Sequence, residues 1–414
     1  MAANLRAFYA FRLLVTAYLF VPAQVALLMA RGLGFSEILL LNTVYNLVAV
    51  VFEVPTGALA DRLGRRLAMA LGALAMAAGA AAYVFAGSFV AFAAAESLFA
   101  IGMSLASGSD SAYLFDRLKS EGKSDDYPRA EGTASAYKHL GTVAAFAVGG
   151  TLAARSPALP YAITAVVSLL AAGVALRLPE APATRRLDEA RWGGFVPHMR
   201  DSVRVAWGLP RLRSAIFYSA LVFVLLRISL YLYQPYLRTA GFDLAQTGVV
   251  LAAVYGVAAI ASRQVGRDYA VLPSGTLVLG LPLVLGLSYL IMAGTHGAVA
   301  AVALLVLQAT VNGAYSPVSK SLLNREIADS NLRATMLSVE SLVRRLVFAL
   351  FSGLLGVVID KGGLPLGLVV CGLVGFCGAS VIVVRSRAPR PRIALVGEAA
   401  SATPPPKDRV RRSA

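Results

Sequence analysis

Three carboxylates, Glu53, Glu96 and Asp110, sit inside runs of apolar residues. An ionisable side chain within hydrocarbon costs about 2.5–3.5 kcal/mol on insertion scales, so it faces a cavity or a partner. A carboxyl removed from water also holds its proton more readily. All three are therefore candidate proton carriers. Each has a plainer alternative. Glu53 lies beside Pro55 and close to Asp61, where it is equally suited to an ion pair with an arginine at the mouth of a bundle. Asp110 is accompanied by Ser104, Ser107, Gly108, Ser109 and Ser111. This small polar face suits either a cavity lining or close packing around a buried pair. Four arginines lie in the same kind of surroundings: Arg12, Arg227, Arg344 and Arg345. An arginine in a central cavity favours an anionic or zwitterionic ligand, because its planar fork donates two parallel hydrogen bonds. Arg227 and Arg12 are the candidates for that role. Glu340 and Arg344 stand one helical turn apart and either pair with each other or face a cavity. Gln308 and Asn312, also one turn apart, are polar in an apolar run and are further cavity candidates.

These residues need elements that hold them in a bilayer. Hydrophobic residues make up 58% of the 414 positions and charged residues 14%. Soluble domains run about 45–50% apolar and about 25% charged. The chain is thus expected to be an all-α polytopic membrane protein. Apolar segments fall near 8–30, 36–60, 67–86, 88–115, 134–154, 159–178, 213–237, 244–264, 274–293, 297–319, 334–359 and 364–385. Bare backbone polar groups are not tolerated in hydrocarbon, so each segment is expected to be a helix. A polar connection over 179–212, with several prolines, divides them into two sets of six. The expected organisation is a first bundle over 1–178, a cytoplasmic linker over 179–212, a second bundle over 213–385, and a disordered basic tail over 386–414. Within the linker, residues 198–209 suit a helix lying on the membrane surface, with Trp207 at the headgroups.

Basic residues orient the spans. Of the 38 lysines and arginines, Arg31, Arg155, Arg238 and Lys361 alone fall in loops on one side. The rest of those outside the spans lie on the other side, which is read as cytoplasmic and holds both termini. The net charge of +16 is then directed at anionic lipid, and nucleic acid is not an expected partner. The first apolar run carries Arg12 and continues into a span, so no cleaved leader is expected. Cys371 and Cys377 lie in the last span, where they are expected to pack as small apolar residues rather than form a disulfide or hold a metal. No G-x-x-x-x-G-K-[ST] loop is present, so nucleotide hydrolysis is not expected. Neither an enzyme nor a cofactor site is indicated.

One stretch is more specific. Between the second and third segments runs Phe52-Glu53-Val54-Pro55-Thr56-Gly57-Ala58-Leu59-Ala60-Asp61-Arg62-Leu63-Gly64-Arg65-Arg66. It resembles the G-x-x-x-D-x-x-G-R-R/K loop between helices 2 and 3 of the major facilitator superfamily, in Gly57, Asp61, Gly64, Arg65 and Arg66. The resemblance implies twelve transmembrane helices in two six-helix pseudo-repeats, with a substrate site between them near the midplane. It implies a secondary active transporter of the cytoplasmic membrane, similar to drug and small-molecule transporters. The expected partners are a small-molecule substrate, a proton and the lipid bilayer, with the protein monomeric. A proton-coupled exporter is the first expectation, an uptake or facilitative carrier for an organic anion or nutrient the second, and a non-transporting receptor the third. The family's motif also implies roles. Asp61 latches onto the amino end of the eleventh helix, near Arg333-Ala334-Thr335-Met336-Leu337-Ser338, when the cavity faces outward, and Arg62 and Arg65 pair with Asp116. The segment Gly141 to Gly150 resembles the antiporter motif of drug exporters without its central proline, and tight packing against the eighth helix accounts for its glycines equally well.

Overall fold

The computed structural model describes residues 2–180, 207–268, 274–327 and 333–386. The surface helix expected over 198–209 falls largely outside them, as does the tail beyond Ser386. Among the described residues the regular structure is helical, with no strand. The helices are α1 (Ala2–Val15), α2 (Gln24–Ala30), α3 (Phe35–Leu63), α4 (Arg65–Phe85), α5 (Phe89–Ser120), α6 (Tyr127–Arg155) and α7 (Leu159–Leu176), then α8 (Pro210–Thr239), α9 (Leu244–Asp268), α10 (Ser274–Gly294), α11 (Ala298–Glu326) and α12 (Arg333–Ser386).

Nine of these are long and apolar enough to cross a bilayer by length and composition. The twelve expected spans correspond to these nine, one of them double, together with α1–α2 and α6, with three differences. The first span is broken into α1 and α2, because Pro22 sits in a short 3-10 turn at Val21–Ala23 and has no amide to continue the ladder. The fifth, α6, begins at Tyr127 rather than near 134. Its first turns carry Arg129, Glu131, Lys138 and His139, which lower its hydropathy. The eleventh and twelfth are joined in α12 and separated by Gly363, whose φ of 77° breaks the helical path.

Two bundles, α1–α7 and α8–α12, meet through α6 against α9 and α3 against α12. The first seam is made by backbone. A Cβ on Gly150 would stand 2.6 Å from the Cα of Gly248, so only glycine permits the approach. Small residues at such crossings let helices gain van der Waals contact where lipid offers no hydrophobic drive. The glycines of the 141–150 stretch therefore serve packing: Gly141 and Gly149 lie against the carbonyls of Leu13 and Leu19, and Gly150 against α9.

The two ends of this seam differ. Away from the Gly–Arg turn the bundles are tied together. The amides of Phe35 and Ser36 donate to Asp360 at 2.7 and 2.9 Å, and the amide of Ala26 donates to Gln234 at 3.1 Å. The hydroxyls of Thr43 and Ser352 meet at 3.1 Å. At the end carrying the turn, the ion pair found between the bundles is Glu53 with Arg345, at 3.9 Å.

Candidate functional site

Between the bundles lie two adjoining chambers. The inner one, about 260 Å³, is lined by Glu96, Arg227, Gln24, Tyr45, Tyr231 and Tyr255 among others. The other, about 470 Å³, lies toward the Gly–Arg turn and is lined by Glu53, Arg65, Arg344, Arg345 and the serines of α5. Tyr45, Met103 and Arg227 border both. Arg227 thus stands at the junction.

Glu96 is held by three elements. It is in the second turn of α5, a helix that starts at Ser88, whose side chain accepts the amide of Ala91. The hydroxyl of Tyr83 on α4 donates to its Oε1, and so does the amide of Gln24 at 3.2 Å. Tyr83 is fixed in turn by stacking on Tyr161, with ring centroids 4.5 Å apart, and Tyr161 stacks on Phe20 at 4.6 Å. Phe20 comes from the break in the first span. The carboxylate is 6% exposed, and among the described residues Oε2 receives no donor.

Arg227 comes from α8, in the other bundle. No carboxylate lies within ion-pair distance of it among the described residues. Its neighbours on the chamber wall are phenols and an amide: Tyr45, Tyr231 and Tyr255, with Asn42 donating to the Tyr231 hydroxyl. A cation in such a place is short of compensating charge, which a ligand can supply.

The other charged residues singled out from the sequence are mostly paired. Arg12 is not a cavity residue. It binds Asp110 at 2.7 Å and Glu131 at 2.7 Å, and also donates to Ser111 at 3.1 Å. Its guanidinium lies over the Phe8 ring. Arg12 and Asp110 are 6% and 5% exposed, and neither lines a chamber. Glu131 was not anticipated, because its segment looked like a loop. Glu340 is also walled off: it accepts from Ser219 and pairs with Arg344 at 3.3 Å. Arg344 reaches the larger chamber and covers Phe223, 4.5 Å from its centroid. Gln308 is fully buried and donates to Ser288 at 2.8 Å. Asn312 is exposed. Neither amide lines the chambers.

The Gly–Arg turn is built as its residue types require. Gly64 has φ +89°, where a side chain is strained, and a Cβ there would meet Glu180 at 2.6 Å. Arg65 pairs with Asp61 at 2.7 Å and approaches Asp116 at 3.9 Å. Arg66 reaches Glu180 at 3.1 Å, a partner the sequence did not suggest. Arg62 is exposed, and Gly57 lines the larger chamber. Asp61, with its side chain 40% exposed, turns to Arg65. A model of the Major Facilitator Superfamily matches residues 7–352.

The chain belongs to the Major Facilitator Superfamily. Solved structures of the same fold include a mutant of the nucleoside transporter NupG, at TM-score 0.80 and 13% identity over 92% of this chain and 98% of that one. A bacterial homolog of the human lysosomal transporter Spinster, inward-facing and unoccupied, matches at 0.74 and 17% over 93% and 97%. A D-xylose–proton symporter matches at 0.69 and 15% over 92% and 96%. No curated protein matches the chain. Membership makes the protein an integral, multi-pass membrane transporter of small molecules, not an enzyme.

Proposed function

We propose that this transporter exports a small molecule across the cytoplasmic membrane by alternating access, as a monomer, in exchange for protons. The observation that carries the reading is the pair of adjoining chambers, shut at one end by the ties around Asp360 and open at the other, where the lining residues Glu53, Gly57, Ser107 and Gly108 are exposed. Such a passage needs only to change which end is shut. Basic loops mark the open end as cytoplasmic, the side from which an exporter loads. Asp61 pairs with Arg65 here, and in this reading its latch role belongs to the outward-facing state. Its docking on the eleventh helix belongs to the other half of the cycle.

Glu96 is the proton carrier in this reading. Its support is geometric: it lines the chamber, keeps one oxygen free, and has no cation bound to it. Asp110 is held by Arg12 away from the chambers. Glu53, with its side chain 64% exposed beside Arg345, is placed as a gate contact between the bundles. A thermal-shift screen against metabolites and drugs at two pH values would supply a solute. In proteoliposomes, Glu96→Gln should then lose flux driven by a pH gradient while counterflow persists at solute concentrations raised to offset weaker binding. Wild-type pH-driven flux in that variant would remove Glu96 from the role. Accumulation of the solute by intact cells would reverse the direction.

A further inference from the structure

Building on the transport reading, we propose that the solute is a small zwitterion, whose carboxylate is taken by Arg227 and whose ammonium is taken by Glu96. Four of the arginines and carboxylates singled out within the spans form pairs inside a bundle or at its edge: Arg12 with Asp110, and Arg344 with Glu340. Arg345 and Glu53 face each other across the open gate. Two are left over. They are opposite in sign, lie in opposite bundles and line the same chamber, yet form no ion pair with each other.

The free groups match the two ends of such a solute. Glu96 presents Oε2, because both of its donors act on Oε1. Arg227 presents a guanidinium among phenols, suited to a bidentate carboxylate. A neutral solute would leave both charges without a contacting partner, and a singly charged one would leave one of them so; a buried charge without a close partner is costly. A zwitterion satisfies both. It also joins α5 to α8, so its binding spans the two bundles that must move relative to each other. The wall between the charges is aromatic, with Phe99, Phe146, Tyr45 and Tyr231. That suits an apolar or aromatic body attached to the charged ends. The chemical class this names is an amino acid or a molecule with the same pair of ends.

The test uses the purified full-length chain and the common L-amino acids, each compared with its carboxamide and its N-acetyl derivative. Binding is read by thermal shift and then by titration calorimetry. The carboxamide keeps the ammonium and loses the anion; the N-acetyl derivative does the reverse. At least one amino acid should bind, and both of its blocked forms should bind about tenfold more weakly or worse. Arg227→Gln should erase the preference for the amino acid over its carboxamide. Glu96→Gln should erase the preference over the N-acetyl form. Arg227→Lys and Glu96→Asp keep the charges and should retain part of each preference, which separates loss of recognition from loss of folding. A blocked form that binds as tightly as its parent overturns the proposal, and so does the absence of binding by every amino acid. Flux is measured separately. Binding without counterflow in liposomes leaves the clamp standing and removes transport. Flux of an uncharged solute from a metabolite screen, with no amino acid bound, does the opposite.

Discussion

Arg12 and Arg227 look alike in the sequence, each a lone cation in an apolar run, and the structure separates them. Arg12 is ion-paired with Asp110 and Glu131, while Arg227 faces a chamber. The difference lies in partners far away in the chain, which periodicity does not reveal. Glu131 belongs to a helix that starts earlier than its hydropathy suggests. That a residue such as Gln308 is polar in a span was legible; that its amide nitrogen donates to Ser288 was not. The same distinction gives opposite expectations for two acids. Asp110→Asn leaves Arg12 with one partner fewer in a buried site, so it should destabilise the protein by about 3 kcal/mol and lower its melting temperature in detergent. It should leave the coupling of flux to pH in place. Glu96→Gln should do the reverse, with little change in melting temperature. A stable Asp110→Asn protein that has lost pH-driven flux would exchange the two assignments.

At the scale of elements, the spans and the Gly–Arg turn were legible because they rest on local rules: hydrocarbon demands helices, and φ +89° at Gly64 demands glycine. Gly64→Ala should cost about 1–2 kcal/mol for the left-handed backbone, with a further cost for displacing Glu180, measurable as a lower melting temperature. The contact of α6 with α9 gives a sharper test. Gly150→Val places a branched side chain against the backbone of Gly248. It should hold the bundles apart at the closed end and abolish flux while the spans still insert. Normal flux in this variant would show that the seam is not needed at that width. The break in the first span was not legible, since Pro22 marks the interruption only weakly.

For the whole molecule, the two ends are expected to move reciprocally. Spin labels placed in pairs across the bundles should come closer at the Gly–Arg turn when they separate near Phe35 and Lys361. Changes of the same sign at both ends would contradict a rocking motion. Asp360→Asn keeps the size of the side chain but loses the anion at the amino end of α3 and leaves an amide nitrogen that cannot accept. Charge at a helix amino terminus is worth about 0.3–1 kcal/mol, so the label distances should shift by a modest fraction toward the form opened at that end. Asp360 meets the amino end of α3 through the amides of Phe35 and Ser36, through the Ser36 side chain, and against Gly34, where a Cβ would stand 3.1 Å from its carboxylate. Every residue but proline carries the amide donor. The clasp is nonetheless particular on both sides, since Ser36 adds a side-chain bond and Gly34 leaves room for the carboxylate. A change at the lip of α3 therefore retunes the lock as well as the entrance beside it.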